Sequence, residues 1–408
     1  MIQNQFFSTK NFILIKYLIE FLPRFLNHSF NIGKRVRMQF LVREMLIDEK
    51  DAVKKFFARN LGIVNRIVFE LSFEEAQKSA KNQKGGTLIA EHNNEIVGTV
   101  SIKIQHIKGE PTGYIDALAT DKKYRRKGIA TSLVENSISW LEKKGCRIIY
   151  ATADRYNSSS WNTFIHKRFS VYEIPWQLKD YGLNFIRLWF QEFHFLGFGT
   201  FFLKKGPQLN KDTEAREIWH LTGAILGVSI AWWIQALIGG APLLLFPLYF
   251  VVITLSILSH ELSQRLVCRK LGLKATFKVW GSGILVNWVF AIIGGFFPAY
   301  GSTYIKQIDW YYKTKDKTGI IFAVGPLISL FFAMGFFSVY VLASEVLLIS
   351  LARTGYVLNL LIVIFNLIPL QAAGGFVWDG KKILNWNRNV WLFLCVATII
   401  LIIIDIIL

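Results

Sequence analysis

Two stretches of this 408-residue chain combine residue types that could do chemistry. In the first, Arg125-Arg126-Lys127-Gly128-Ile129-Ala130 sets three cations and a glycine where a strand ending near Thr120 gives way to a helix starting near Lys127. That junction suits a diphosphate. Glycine lets the backbone approach, the free N–H groups of a helix start point at the anion, and the helix dipole adds to the basic side chains. In the second, His260-Glu261-Leu262-Ser263-Gln264 lies near the inner end of an apolar run. In His-Glu-x-x-His, residues i and i+4 share a helix face and bind zinc, while the glutamate activates the metal-bound water. Here the last position is Gln264, and no histidine follows His260 in the chain. A neutral amide oxygen is a poor zinc ligand beside imidazole.

The elements that must position these residues divide the chain in two. Residues 36–205 alternate strand and helix signals, with strands at about 36–45, 87–91, 96–104, 114–120 and 146–153. Asn93-Asn94 reads as a hairpin turn between the second and third of them. A helix is expected over 48–60. Another, after the basic turn, places Ile129, Leu133, Val134, Ile138 and Leu141 on one face and stops at Gly145. Strand alternation puts Asp116 on the same face as Leu118 and Thr120.

The pattern Arg/Gln-x-x-Gly-x-Gly/Ala between a strand and a helix resembles the acetyl-CoA pyrophosphate loop of the GNAT N-acetyltransferase superfamily. Downstream, Asn157-Ser158-Ser159-Ser160-Trp161-Asn162-Thr163-Phe164 parallels that family's Asn-x-x-Ala-x-x-Leu-Tyr helix, with Phe169 closing the segment. The resemblance covers about residues 36–205 and implies an α/β domain, a mixed central sheet with flanking helices and a splayed centre. It implies acetyl-CoA as co-substrate, held by Leu118, Thr120, Arg125, Arg126, Lys127, Gly128, Ile129, Ala130 and Asn157. Asn157 matches the asparagine beside the pantetheine arm. Phe164 departs from the family, standing where many members carry a tyrosine that protonates the leaving thiolate. A thiol with a pKa of about 8.5 leaves tolerably well unaided. The attacking amine must be neutral, so a nearby carboxylate helps. Asp116 is the candidate base; the alternative is a solvated or capping aspartate.

Five later segments are long enough to cross a bilayer, at about 218–238, 244–267, 319–342, 356–370 with its approach, and 390–408. A sixth apolar run, 281–298, is shorter and rich in glycine. Arg265, Arg269, Lys270, Lys274 and Lys278 precede it; Lys306, Lys313, Lys315 and Lys317 follow it. Treating it as re-entrant keeps both groups inside, together with Lys381, Lys382 and Arg388. His260-Glu261, Gly325-Pro326, Asn366-Leu367-Ile368-Pro369 and Trp378-Asp379-Gly380-Lys381-Lys382-Ile383-Leu384 together resemble the site-2 protease family of intramembrane metalloproteases, over about residues 220–395. The resemblance implies His260 and Asp379 as zinc ligands, Glu261 as the base and Asn366 as the helper. Two departures set this chain apart: Gln264, and a separation of 13 positions (379 − 366) between Asn366 and Asp379, with Gly374-Gly375 in the extra stretch.

The formal charge of +19 would suit nucleic acid, but the basic residues cluster at the ends of apolar spans, as orientation in a bilayer requires. Nucleic acid is therefore not expected as a partner. The bilayer and an amine acceptor, with a membrane protein as possible client, are. Cys146, Cys268 and Cys395 lie far apart with no pairing or zinc-finger spacing and read as reduced. Residues 1–35 read as an apolar-basic helix on the membrane or on the domain behind it, because Lys16 and Glu20 interrupt the apolar run 12–22. The expected order is that segment, the α/β domain at 36–205, a linker at 206–217, and an all-α polytopic membrane domain at 218–408. The expected activity is a cell-membrane N-acetyltransferase with its N-terminal domain cytoplasmic. The alternatives are a zinc intramembrane protease with an acetyl-CoA sensor, and a non-catalytic scaffold that responds to acetyl-CoA.

Overall fold

The computed structural model describes residues 38–107, 109–155, 157–191, 194, 199–206, 216–240, 242–305, 315–370 and 377–408. The readings of residues 1–35, of most of the linker and of Gly374-Gly375 lie outside the described residues. Residues 41–408 form one compact unit.

A seven-stranded mixed sheet runs in the order β1 (Leu41–Glu44), β2 (Gly85–His92), β3 (Glu95–Ile107), β4 (Glu110–Thr120), β5 (Ile148–Asp154), β7 (Thr200–Lys205) and β6 (Ser170–Val171). Every neighbouring pair is antiparallel except β4 with β5. Asn93 and Asn94 both take positive φ and close the β2–β3 hairpin, as their residue type predicts. Helices α1 (Lys50–Asn60) and α2 (Ile63–Ala80) cover one face, where Phe57 and Phe73 pack on Ile89 and Ala119. Helix α3 (Ile129–Lys143) covers the other with the apolar stripe expected of it, Ile129, Leu133, Val134, Ile138 and Leu141 all being buried. Three shorter helices follow: α4 (Ser158–Ile165), α5 (Ile174–Tyr181) and α6 (Phe185–Gln191).

Parallel pairing of β4 with β5 runs only from Thr112 to Ile115 opposite Ile148 to Ala151. Both strands continue, to Thr120 and Asp154, so the sheet opens in its middle. At the same level β4 bulges: Ser101 faces Asp116, Thr99 faces Ala119, and Ala117 takes φ +49°. The extra residue breaks the period of two. Asp116 therefore does not share a face with Leu118 and Thr120. It falls on the α2 side, and they fall on the α3 side.

Among the described residues of the second half, five helices are long and apolar enough to cross a membrane: α7 (Glu217–Ile238), α8 (Phe246–Lys270), the 319–342 part of α10 (Lys315–Leu342), α11 (Val346–Leu367) and α13 (Arg388–Ile407). Between α8 and α10, strand β8 (Ala275–Val279) pairs antiparallel with β9 (Gly301–Ile305), and helix α9 (Gly281–Ile292) lies between the two strands. The α9 helix has 12 residues. At about 1.5 Å per residue it is far shorter than the ~30 Å of a hydrocarbon core. Val279 pairs with Gly301, so the chain returns to where it left. Helix α12 (Asp379–Trp386) then leads into α13. Two cations that hydropathy assigns to a solvated inner face are buried instead. Lys278 is ion-paired with Glu173 and Lys382 with Asp379.

Candidate functional site

The basic turn is fixed from below before it meets any ligand. Asp121, 4% exposed, accepts from Lys123 N at 2.9 Å and pairs with Arg59 at 2.9 Å, while Asn60 Oδ1 accepts from Lys122 N at 3.2 Å. These contacts tie the end of β4 to the end of α1. Beyond them Arg125, Arg126, Lys127 and Gly128 are all exposed. Gly128, the residue capping α3, has φ +86°, a left-handed conformation that a side chain resists. A Cβ there would meet nothing within 4 Å, so glycine is needed for its backbone conformation and the space above it is open. Ser132 N bonds back to Gly128 O at 3.0 Å; the amides of Ile129, Ala130 and Thr131 precede it and have no carbonyl of their own helix to reach. Ile129 and Ala130 thus serve the turn through backbone donors, since the Ile129 side chain is buried against Gly98.

The mouth of the β4–β5 gap has two other sides. Leu118 and Thr120 line the α3 side of β4. Across the gap, Asn157 caps α4, its Oδ1 accepting from Ser160 N at 3.1 Å, which leaves its amide NH2 group as the part that can serve a ligand. Phe164 is 2% exposed and stacks edge-on against Phe169, so it is a core residue with no proton to give. On the far side of the sheet, Asp116 Oδ1 accepts from Ala117 N at 2.7 Å and Oδ2 accepts from Ser72 Oγ of α2. A polar layer continues beneath α2, with Gln77 donating to Thr87 at 2.9 Å and Lys103 to Glu75 at 2.9 Å. Ser72 was not foreseen, because a lone serine in an apolar helix carries no sequence signal.

A second polar centre lies inside the membrane half. His260, Glu261, Gln264 and Asp379 are all buried, from 1% to 4% exposed. His260 Nδ1 and Ser329 Oγ are 2.9 Å apart. Gln264 Nε2 donates to Asp379 Oδ2 at 3.0 Å and sits 3.3 Å from His260 Nε2. Lys382 Nζ donates to Asp379 Oδ1 at 3.0 Å. Thr303 Oγ1 of β9 donates to Glu261 Oε2 at 2.7 Å. Asn366 stands apart, its amide bonded to Ile362 O one turn back on its own helix. Three of the four expected residues, His260, Glu261 and Asp379, are therefore together with Gln264, and Asn366 is not among them. Lys382, Ser329 and Thr303 were missed, and of these only Lys382 had a readable signal, its i, i+3 spacing from Asp379.

Residues 54–170 match the family model described as Acetyltransferase (GNAT) family. The α/β first half of the chain is GNAT-like. The chain is also 29% identical over 181 residues, 43% of its length and 87% of the relative's, to a protein of Methanocaldococcus jannaschii provisionally named a zinc metalloprotease. Among solved structures it is similar to the PaiA N-acetyltransferase of Thermoplasma acidophilum in complex with coenzyme A, at 14% identity and a TM-score of 0.31, covering 41% of this chain and 99% of that one. It is also similar to a GNAT-family acetyltransferase of Streptococcus pneumoniae, at 20% identity and a TM-score of 0.28, covering 33% and 85%.

The α/β half brings together open backbone donors, exposed cations and a gap between two strands, which suits an anionic ligand such as a diphosphate. Zinc fares differently in the membrane half. A carboxylate can only accept hydrogen bonds, so the NH2 end of Gln264 must face Asp379. That one nitrogen reaches both His260 Nε2 and Asp379 Oδ2, the two atoms that would ligate a metal. With Lys382 on the other carboxylate oxygen, a metal at Asp379 would have to compete with a donor on each oxygen and with a cation beside it. Catalytic zinc sites use three protein ligands and a water. Among the described residues no three His, Cys, Asp or Glu side chains gather into such a set. The residues present do not fit zinc.

Proposed function

We propose that this chain is a membrane-anchored N-acetyltransferase that moves an acetyl group from acetyl-CoA to an amine. The observation that carries this reading is the exposed turn Arg125–Gly128 at the start of α3, beside the opening between β4 and β5. In this reading the diphosphate rests on the amides of Ile129 and Ala130 with Arg125, Arg126 and Lys127 around it. The pantetheine arm enters the gap past Leu118, Thr120 and Asn157. The acetyl group then reaches the α2 face, where the bulge has placed Asp116. The amine nitrogen attacks the thioester carbonyl carbon and the C–S bond breaks. The amine proton passes to Asp116, and coenzyme A leaves as the thiolate, since Phe164 supplies no proton. An open cavity of ≈ 390 Å³ lined by Glu75, Lys103 and Gln105 lies farther along β3 from Ser101, the strand partner of Asp116.

The five apolar helices support membrane insertion. Acetyl-CoA is cytosolic, so the GNAT domain belongs on the cytoplasmic side, with α9 re-entrant from that side. The pairing of Val279 with Gly301 supports this topology. The membrane half, similar to a metalloprotease in sequence, acts in this reading without zinc and without proteolysis. Calorimetry of acetyl-CoA on the detergent-solubilised full chain tests the cofactor assignment. Release of free thiol with a panel of amines separates a transferase from a scaffold that only binds. No binding at millimolar acetyl-CoA would sink both.

A further inference from the structure

The β8–β9 ribbon has two faces, and each belongs to a different half of the molecule. Its register pairs Phe277 with Thr303 and Ala275 with Ile305, and these side chains turn into the membrane half. Phe277 packs with Leu221, Ile253 and Ile257, Ile305 packs with Cys268 and Phe322, and Thr303 donates to Glu261. The alternate residues turn the other way, as period two requires. Lys278 Nζ lies 2.9 Å from Glu173 Oε1 at the start of α5, with His220 Nε2 3.1 Å from the same ammonium. Tyr304 carries Arg155, whose guanidinium carbon lies 5.5 Å from the ring centroid. Trp280 Nε1 donates to the Tyr304 hydroxyl at 2.9 Å and holds that ring in place. The fit between the halves is tight: a Cβ on Gly281 would fall 2.1 Å from Ile174 Cδ1 and 2.6 Å from the Trp189 ring.

Arg155 stands at the end of β5, two positions before Asn157. Its carbonyl accepts from Trp161 Nε1 of α4 at 3.2 Å, so Arg155 and the capped start of α4 hold each other. A covalent step of one residue, from Thr303 to Tyr304, separates a buried carboxylate of the membrane centre from a cation at the mouth of the cleft. Glu261 is 3% exposed, and a buried carboxylate loses much when a hydroxyl donor is removed. Thr303 is 0% exposed and sits mid-strand in β9, paired with Phe277.

We propose that the ribbon couples the zinc-free membrane centre to the acetyl-CoA cleft, with Thr303 and Tyr304 as positioning residues for Arg155 and Asn157. The protease-like residues then support the acetyltransferase: Glu261 fixes Thr303, the strand fixes Tyr304, and Tyr304 fixes the end of β5. The proposal rests on the acetyl-CoA reading for its consequence, but its geometry can be read without ligand.

The test uses the solubilised full chain and two readouts. Thr303→Val keeps the shape, removes the hydroxyl and touches nothing in the GNAT domain; Thr303→Ser restores the hydroxyl. Acetyl-CoA binding should weaken roughly three- to tenfold in Thr303→Val and in Tyr304→Ala, and return in Thr303→Ser. Amide hydrogen exchange, measured without ligand, should quicken at Asn157, Ser160 and Trp161 in the same two variants and not in Thr303→Ser. Acetyl-CoA affinity within twofold of wild type in Thr303→Val, or unchanged exchange at those three amides, overturns the coupling. A wild-type chain that binds no acetyl-CoA yet shows the exchange response overturns the acetyltransferase reading and leaves the mechanical coupling standing.

Discussion

Two single residues decide what each half can do. Gly128 occupies a left-handed turn with open space above it, so the effect of a side chain there depends on its charge. Gly128→Ala should cost about 1 kcal/mol of stability from backbone strain and bind acetyl-CoA nearly normally. Gly128→Asp puts a carboxylate where the diphosphate is expected and should weaken binding about tenfold or more, about 1.4 kcal/mol. Equal affinities of the two variants in calorimetry would show that no diphosphate sits there. Gln264 is the second residue. The wild-type protein is expected to hold little zinc, and Gln264→His to raise zinc content by restoring the i, i+4 pair, read by metal analysis after purification. Full zinc in the wild type, lost in His260→Ala, would reverse the reading of the membrane centre. Both residues were legible in the sequence because each sits inside a contiguous pattern. The hydroxyls of Ser72 on Asp116, Ser329 beside His260 and Thr303 on Glu261 were not, since a contact between elements far apart in the chain leaves no periodic trace.

At the scale of elements, five strands of the sheet and the spans followed from alternation and length, while β6, β7 and the irregular features did not. The β4 bulge moved Asp116 to the opposite face from Leu118 and Thr120, and nothing in Asp116-Ala117-Leu118 announces an extra residue. Helix α2 was not anticipated, because Ile63, Ile67 and Leu71 stay exposed while Phe73 and Ala76 are buried, leaving no single apolar stripe. The β8–β9 ribbon lay hidden inside what read as orienting charges. Its contact with α5 has a pH dependence of known sign. Burial pushes the Glu173 carboxyl up, but His220 and Lys278 more than offset this and hold its pKa at about 2, below an ordinary 4.5. A carboxyl depressed on folding adds stability above its unfolded pKa and loses it as pH falls towards the folded one. The difference in melting temperature between wild type and Glu173→Gln should therefore be full above about pH 5 and shrink as pH falls towards 2. A difference that stays constant over that range would mean the ion pair does not form.

At the scale of the whole molecule, the proposed topology has each of the five apolar helices found among the described residues crossing once, an odd number that would put the two ends of the membrane half on opposite sides. A single cysteine placed at the exposed Leu408 should react with an impermeant maleimide from outside intact cells. One placed at Lys144, exposed in the GNAT domain, should react only after permeabilisation. The reverse pattern would invert the orientation proposed above. The division into two halves was plain from hydropathy, but their mechanical union through the ribbon was not, because its contacts join residues about a hundred positions apart, such as Glu173 and Lys278. That separation also sets an order of events during synthesis. Glu173 leaves the ribosome before Lys278 exists, so the partner of a cation buried to 5% exposure is already made when the cation emerges. If the α/β domain folds first, it serves as a template on which the ribbon closes. Residues 216–408 synthesised alone should then be degraded faster than the full chain, and supplying residues 38–206 as a separate polypeptide should extend their lifetime.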